Sequence, residues 1–137
     1  MTDSPLKIGL AGLGTVGGGV LQLLATNKSL IRERAGRDIV VAGISGLNKS
    51  KKRSIDTSEF QWYEDAVKLG QEPDIDVILE LIGGSDGVAL SLVKTAIENK
   101  KHVITANKAL LAIHGFELAT KAEQNRVCIN YEAAVAG

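Results

Sequence analysis

Directly after the apolar run Lys7-Ile8-Gly9-Leu10-Ala11 comes Gly12-Leu13-Gly14-Thr15-Val16-Gly17, a G-x-G-x-x-G string. Beyond it Val16, Val20, Leu21, Leu23 and Leu24 recur at helical spacing. The bare string carries little information, but its place between a strand pattern and a helix pattern carries a good deal. There the first glycine permits a tight turn, the second lets a pyrophosphate approach the backbone, and the third lets helix and strand pack closely. The helix N-terminus, with its unpaired amides, then faces the phosphates. Gly12, Gly14, Thr15, Val16 and Gly17 are therefore candidate cofactor contacts; the alternative is a tight turn that holds no ligand.

The rest of the chain repeats the alternation. Apolar runs predict strands over 7–11, 39–44, 77–82, 102–105 and 127–131. Helical spacing follows the first of them, returns over 88–99 and 116–125, and an amphipathic segment surrounds Tyr63-Glu64-Asp65-Ala66-Val67. Strand and helix in strict order give an α/β fold, a doubly wound parallel sheet of Rossmann type. At 137 residues the chain holds one domain, 1–137, with a single core. Ligands of such sheets bind beyond the carboxyl ends of the strands. The segments 12–19, 83–84, 106–108 and 132–137 stand at those ends and are expected to line one crevice.

Composition narrows the partner. Sixteen basic side chains balance sixteen acidic ones, which argues against the broad basic surface of a nucleic-acid or membrane-surface binder. A small-molecule partner is expected, with no nucleic acid and no membrane. No apolar stretch reaches the ~18 residues of a membrane span, and the polar start Met1 to Lys7 lacks the basic and apolar regions of a signal peptide. A lone cysteine, Cys128, forms no internal disulfide, so the expected location is cytoplasmic. Cys128 itself, alternating with apolar residues, reads as a small core residue. Trp62 and Tyr63 are expected to cover the sheet edge.

Several side chains carry candidate chemistry. Asp38 lies at the right distance from the glycines for a ribose-binding acid, but it precedes its strand and so belongs at the wrong end. The end of that strand, Ser45 to Arg53, holds no acid and four cations. Asn48, Lys52 and Arg53 could receive a 2′-phosphate, which makes NADP the preferred coenzyme and leaves NAD open; a solvated basic loop is the other reading. Lys108 follows the fourth strand where a helical turn begins. A cation there opposes the helix dipole, and at a crevice mouth it suits hydrogen bonding or proton exchange with a substrate oxygen. Glu80, inside an apolar strand, needs hydrogen-bond partners or a wet edge and reads as structural. Neither His102 nor His114 has a second ligand at metal-binding spacing. Glu132 and the small residues after it could surround a hard cation with backbone carbonyls or form a solvated strand end.

Taken together, 12–17, Glu80-Leu81-Ile82-Gly83-Gly84, the segment Val103 to Ala112 with Thr105-Ala106-Asn107-Lys108 at its centre, and Tyr131 to Gly137 closely resemble the N-terminal NAD(P)-binding domain of homoserine dehydrogenase. The resemblance implies reversible hydride transfer between NAD(P) and the L-homoserine/L-aspartate 4-semialdehyde pair, on the route to threonine and methionine. It implies that Lys108 is catalytic and that Gly83, Gly84, Thr105, Ala106 and Asn107 wall the nicotinamide and substrate pocket. Glu132, with the carbonyls of Val135 and Gly137, matches a monovalent cation site for sodium or potassium. The parent of such a domain is a homo-oligomer with a further substrate and dimerisation region, so 1–137 alone is expected to bind coenzyme without turnover. A stand-alone NAD(P)-binding sensor domain, or another semialdehyde or hydroxyacid dehydrogenase of the same fold, remains the alternative.

Overall fold

A computed structural model of the chain describes residues 4–131. Strands β1 (Leu6–Ala11), β2 (Ile39–Ser45), β3 (Val77–Glu80), β4 (His102–Thr105) and β5 (Ile129–Tyr131) form one sheet. Its order is β2-β1-β3-β4-β5, and every pairing is parallel. Helices α1 (Thr15–Thr26), α2 (Lys28–Ala35), α3 (Val88–Glu98) and α4 (Lys108–Gln124) and a 3₁₀ segment, Ala66–Gln71, fill the connections.

From β1 the chain steps one way across the sheet to β2; from β3 it steps the other way to β4 and β5. Crossovers of one hand then place α1 and α2, which share the β1-to-β2 connection, on one face and α3 and α4 on the other. The core divides accordingly. Leu10, Ile44, Leu13 and Leu21 pack on the α1 side, while Ala11, Ile78 and Val103 meet Leu69, Leu92, Ala96, Leu110 and Leu118 on the opposite side. The directions diverge between β1 and β3, and the crevice opens there. Among the described residues no helix is long and apolar enough to cross a membrane.

Some boundaries differ from the sequence reading. Residues 28–35 form a helix that periodicity does not announce, because α2 buries none of its residues; Gly36, at φ 78°, closes it in the left-handed region. In the second crossover the amphipathic segment around Tyr63 to Val67 is an extended 61–63 strip followed by the 3₁₀ segment Ala66–Gln71. Helix α4 runs unbroken from Lys108 through Gly115 to Gln124, so the turn at Lys108 and the stretch 116–125 are one element. Strand β3 stops at Glu80 rather than at residue 82, since the Glu80 carboxylate accepts the Ile82 and Gly83 amides and turns the chain. Cys128 is exposed, not core: it lies just before β5, the last strand of the sheet, which has a neighbour on one side only.

Candidate functional site

The three glycines of the first turn differ in what fixes them. Gly12 has φ +102°, and a Cβ on it would stand 2.6 Å from the Leu81 carbonyl, so both conformation and space require glycine. At Gly17 a Cβ would overlap the Gly12 carbonyl oxygen, which is the close helix–strand approach in physical form. Gly14 is different: it has ordinary φ −80°, and among the described residues a Cβ there would meet nothing within 4 Å. Among the described residues neither conformation nor space calls for glycine there. It is the N-cap of α1, offers no side-chain cap, and no acidic residue stands in the first turn, so the first amides of the helix are left for an anion.

Gly12, Leu13 and Gly14 form one wall of a crevice of ≈ 410 Å³, within the range of small-molecule sites. The end of β2 and the residues after it, Ser45 to Asn48 with Lys51 and Arg53, form a second wall; Leu81, Ile82 and Val88 form a third. Arg53 is held in place. Its Nε donates to the Leu13 carbonyl at 3.4 Å, a second nitrogen donates to the Lys51 carbonyl at 3.1 Å, and the guanidinium lies 5.7 Å from the Trp62 ring centroid, a cation–π distance. Asn48 lines the crevice too, and its Oδ1 accepts the Ser50 amide. Lys52 is exposed and does not line the crevice, whereas Lys51 does.

Two acids stand in that lining that the sequence reading did not place there, Glu64 and Asp65. They arrive because residues 61–63 run beside the outer edge of β2: the Ile44 amide donates to the Gln61 carbonyl, the Tyr63 amide to the Ile44 carbonyl, and Trp62 pairs with Ile44. Trp62 and Tyr63 thus cover the sheet edge as expected. The idea that no carboxylate stands near the basic run is corrected. Asp38 is at the opposite end of β2, paired with Arg32 at 2.6 Å.

Beyond β3 and β4 the polar groups form a closed set. Glu80 has 0% exposure; Oε2 accepts the Ile82 and Gly83 amides at 2.8 and 3.2 Å, and Oε1 accepts the Thr105 hydroxyl at 2.6 Å. Thr105 in turn accepts the Asn107 amide at 3.0 Å. Asn107 caps α4 by accepting the Leu110 amide, and its Nδ2 donates to the Gly84 carbonyl at 2.6 Å. Gly83 and Gly84, at φ +91° and +83°, let the chain loop back to meet it. The expected pocket residues Gly83, Gly84, Thr105, Ala106 and Asn107 are thereby brought together. The Thr105 and Asn107 side chains are buried and bonded to protein groups, and none of the five is in the crevice lining. Lys108 is exposed at the first position of α4. Glu132, Val135 and Gly137 lie outside the described residues.

The two histidines have structural partners. His102 Nδ1 accepts the Cys128 amide at 3.0 Å, and His114 Nε2 lies 3.1 Å from Asp86 in the loop before α3. Among the described residues no group of His, Cys, Asp and Glu could hold a metal ion.

This geometry agrees with a known family. Residues 12–132 match the family described as homoserine dehydrogenase, NAD binding domain. The chain belongs to that family. It is 48% identical over 133 residues to homoserine dehydrogenase of Pseudomonas aeruginosa and 36% identical over 132 residues to that of Bacillus subtilis, covering 97% and 96% of itself. It spans about 30% of the length of either relative. Among solved structures, the homoserine dehydrogenase of Thiobacillus denitrificans superimposes with a TM-score of 0.88 at 40% identity, over 96% of this chain and 30% of that one. The Staphylococcus aureus enzyme at pH 6.0 gives a TM-score of 0.86 at 41% identity, over 94% and 32%. The fold expected from the sequence, and the resemblance on which the functional reading stood, are both borne out.

Proposed function

We propose that this chain is the coenzyme-binding part of a homoserine dehydrogenase and that residues 1–137 act as one dinucleotide-binding domain. The complete enzyme interconverts L-homoserine and L-aspartate 4-semialdehyde, and the bound nicotinamide coenzyme supplies the hydride acceptor or donor. The observation that carries this reading is Gly14, where neither backbone conformation nor the described residues call for glycine, at the uncapped N-terminus of α1 and in the wall of the crevice. A side chain there would stand where a pyrophosphate meets the helix amides.

Thr15, Val16 and Gly17 present backbone amides to the phosphates. Arg53 and Lys51, with Lys52 beside them and Asn48 in the lining, receive a 2′-phosphate. NADP is the proposed coenzyme, although Glu64 and Asp65 oppose it more than the bare sequence implies. Lys108 is assigned the proton exchange with the substrate oxygen. The same reading gives Glu132, with the carbonyls of Val135 and Gly137, to a sodium or potassium ion and makes the enzyme a homo-oligomer.

Calorimetric titration tests the proposal. The chain is expected to bind NADPH more tightly than NADH and to oxidise no homoserine. Absence of binding by either coenzyme defeats the reading, and homoserine oxidation by this chain alone shows that Lys108 does not need a further region.

A further inference from the structure

Resting on that reading, we propose that Glu80 is a positioning residue: its buried carboxylate, acting through Thr105, locks the crevice wall at Leu81–Ile82 to the start of α4, so that the wall and Lys108 hold one fixed relation. The two ends of a dinucleotide straddle β1, with the adenosine half over β2 and the other half over β3. The wall at Leu81 and Ile82, on the β3 side and facing Asn48, Lys51 and Arg53 in one lining, is assigned to the nicotinamide half.

The connection is continuous. One carboxylate oxygen of Glu80 takes the amide of Ile82, in the wall, and that of Gly83 just after it, and the other takes the Thr105 hydroxyl. The same hydroxyl oxygen takes the Asn107 amide, one residue before Lys108. A second link, from Asn107 Nδ2 to the Gly84 carbonyl, closes the ring. No lysine or arginine pairs with Glu80 among the described residues. A fully buried carboxylate without a cation is costly, and a core packed only for stability is served as well by an apolar residue in β3. The carboxylate's acceptors are instead aimed at the two loops whose separation sets the geometry of hydride transfer, where small misplacements are expensive in rate.

The test uses Thr105→Val, which keeps the shape and removes the hydroxyl, and Thr105→Ser, which restores it. Amide exchange in the ligand-free chain reads the lock. In the valine variant the Ile82, Gly83 and Asn107 amides are expected to exchange faster together, by about tenfold or more, as a buried hydrogen-bond partner is lost. Serine is expected to return all three close to the wild-type rates. Acceleration at Asn107 alone overturns the lock.

Ligand binding reads the function. NADPH affinity is expected to fall about tenfold in the valine variant, while 2′-phospho-ADP-ribose, which lacks the nicotinamide, keeps its affinity within about twofold. Equal losses for both ligands, or no loss for either, overturn the positioning role even though wild-type binding still upholds the coenzyme reading. If the wild-type chain binds neither ligand, the coenzyme reading fails and the positioning role goes with it. Should the valine variant not fold, the wild type decides. NADPH must slow exchange at Ile82, Gly83 and Asn107 together while the nicotinamide-free ligand does not, and protection that stops short of Asn107 overturns the proposal.

Discussion

Replacing Gly14 and Gly17 by alanine, one at a time, separates a glycine kept for a ligand from one kept for the fold. The Gly17 methyl would overlap the Gly12 carbonyl oxygen, a backbone atom that can yield only by moving the turn. Such overpacking typically costs about 1–3 kcal/mol, which for a chain of this size lowers the melting temperature by roughly 5–15 °C. Among the described residues the Gly14 methyl meets nothing within 4 Å, and the φ of −80° suits alanine. Losing glycine at an N-cap costs up to about 1 kcal/mol, and the stiffer unfolded chain returns about 0.4–1 kcal/mol, so the net change is close to zero. In the coenzyme complex the balance reverses, because that methyl occupies the approach of the pyrophosphate. A clash of about 1–3 kcal/mol there weakens NADPH roughly 5–150-fold. Thermal melts and calorimetric titration of both variants give the answer. NADPH affinity unchanged in Gly14→Ala, or a melting temperature lowered as far as in Gly17→Ala, refutes the argument that the ligand alone accounts for Gly14.

Three further outcomes are expected. Arg53→Ala weakens NADPH more than NADH, by about tenfold, since a hydrogen bond to a charged group contributes ~1.5–3 kcal/mol; equal losses in parallel titrations return the basic run to a solvated loop. In a complete homoserine dehydrogenase containing this segment, Lys108→Ala lowers turnover by ~10²–10⁴-fold, the contribution of a positioned acid or base. It leaves the melting temperature nearly unchanged, because the residue is exposed, and near-normal steady-state turnover removes Lys108 from the mechanism. Lys101 is buried with Nζ donating to the Glu72 and Ile75 carbonyls at 2.6 and 2.7 Å, and desolvation holds its ammonium below the usual 10.5 despite attraction to Asp76 and Glu72. Between the depressed folded value and 10.5 the unfolded chain keeps a proton that the folded chain has lost, so stability rises with pH in that window. Lys101→Met abolishes this rise and, by leaving the buried Ile75 carbonyl without its donor while Glu72 keeps the Ile75 amide, lowers stability near neutral pH by about 1–3 kcal/mol. Urea melts at neutral and alkaline pH check both, and because the raised Tyr63 phenol titrates in both proteins, the difference between them isolates Lys101.

The strands were legible because each is an apolar run closed by glycine or a polar residue, and a parallel sheet covered on both faces needs little else. Helix α2 was not, since it buries no side chain and so leaves no period in the sequence. Cys128 shows the limit of alternation: the pattern marks a face as apolar but does not say that the outermost strand lacks a neighbour. Glu64 and Asp65 enter the crevice only because the 61–63 strip pairs with β2, a long-range event that no local window contains. The glycine turn could be read because its spacing sits between a strand pattern and a helix pattern, although what fixes Gly12 is Leu81, far along the chain, and only Gly17 answers a local need of space. Glu80 stood out as a buried acid, yet beside the local Ile82 and Gly83 amides its third partner, Thr105, comes from a strand twenty-five residues away.

The most direct measurement is a crystal structure of the chain with NADPH. The pyrophosphate is expected on the Thr15, Val16 and Gly17 amides, the 2′-phosphate beside Arg53 and the nicotinamide against Leu81 and Ile82. A coenzyme bound elsewhere, or one whose pyrophosphate does not touch the N-terminus of α1, contradicts this placement.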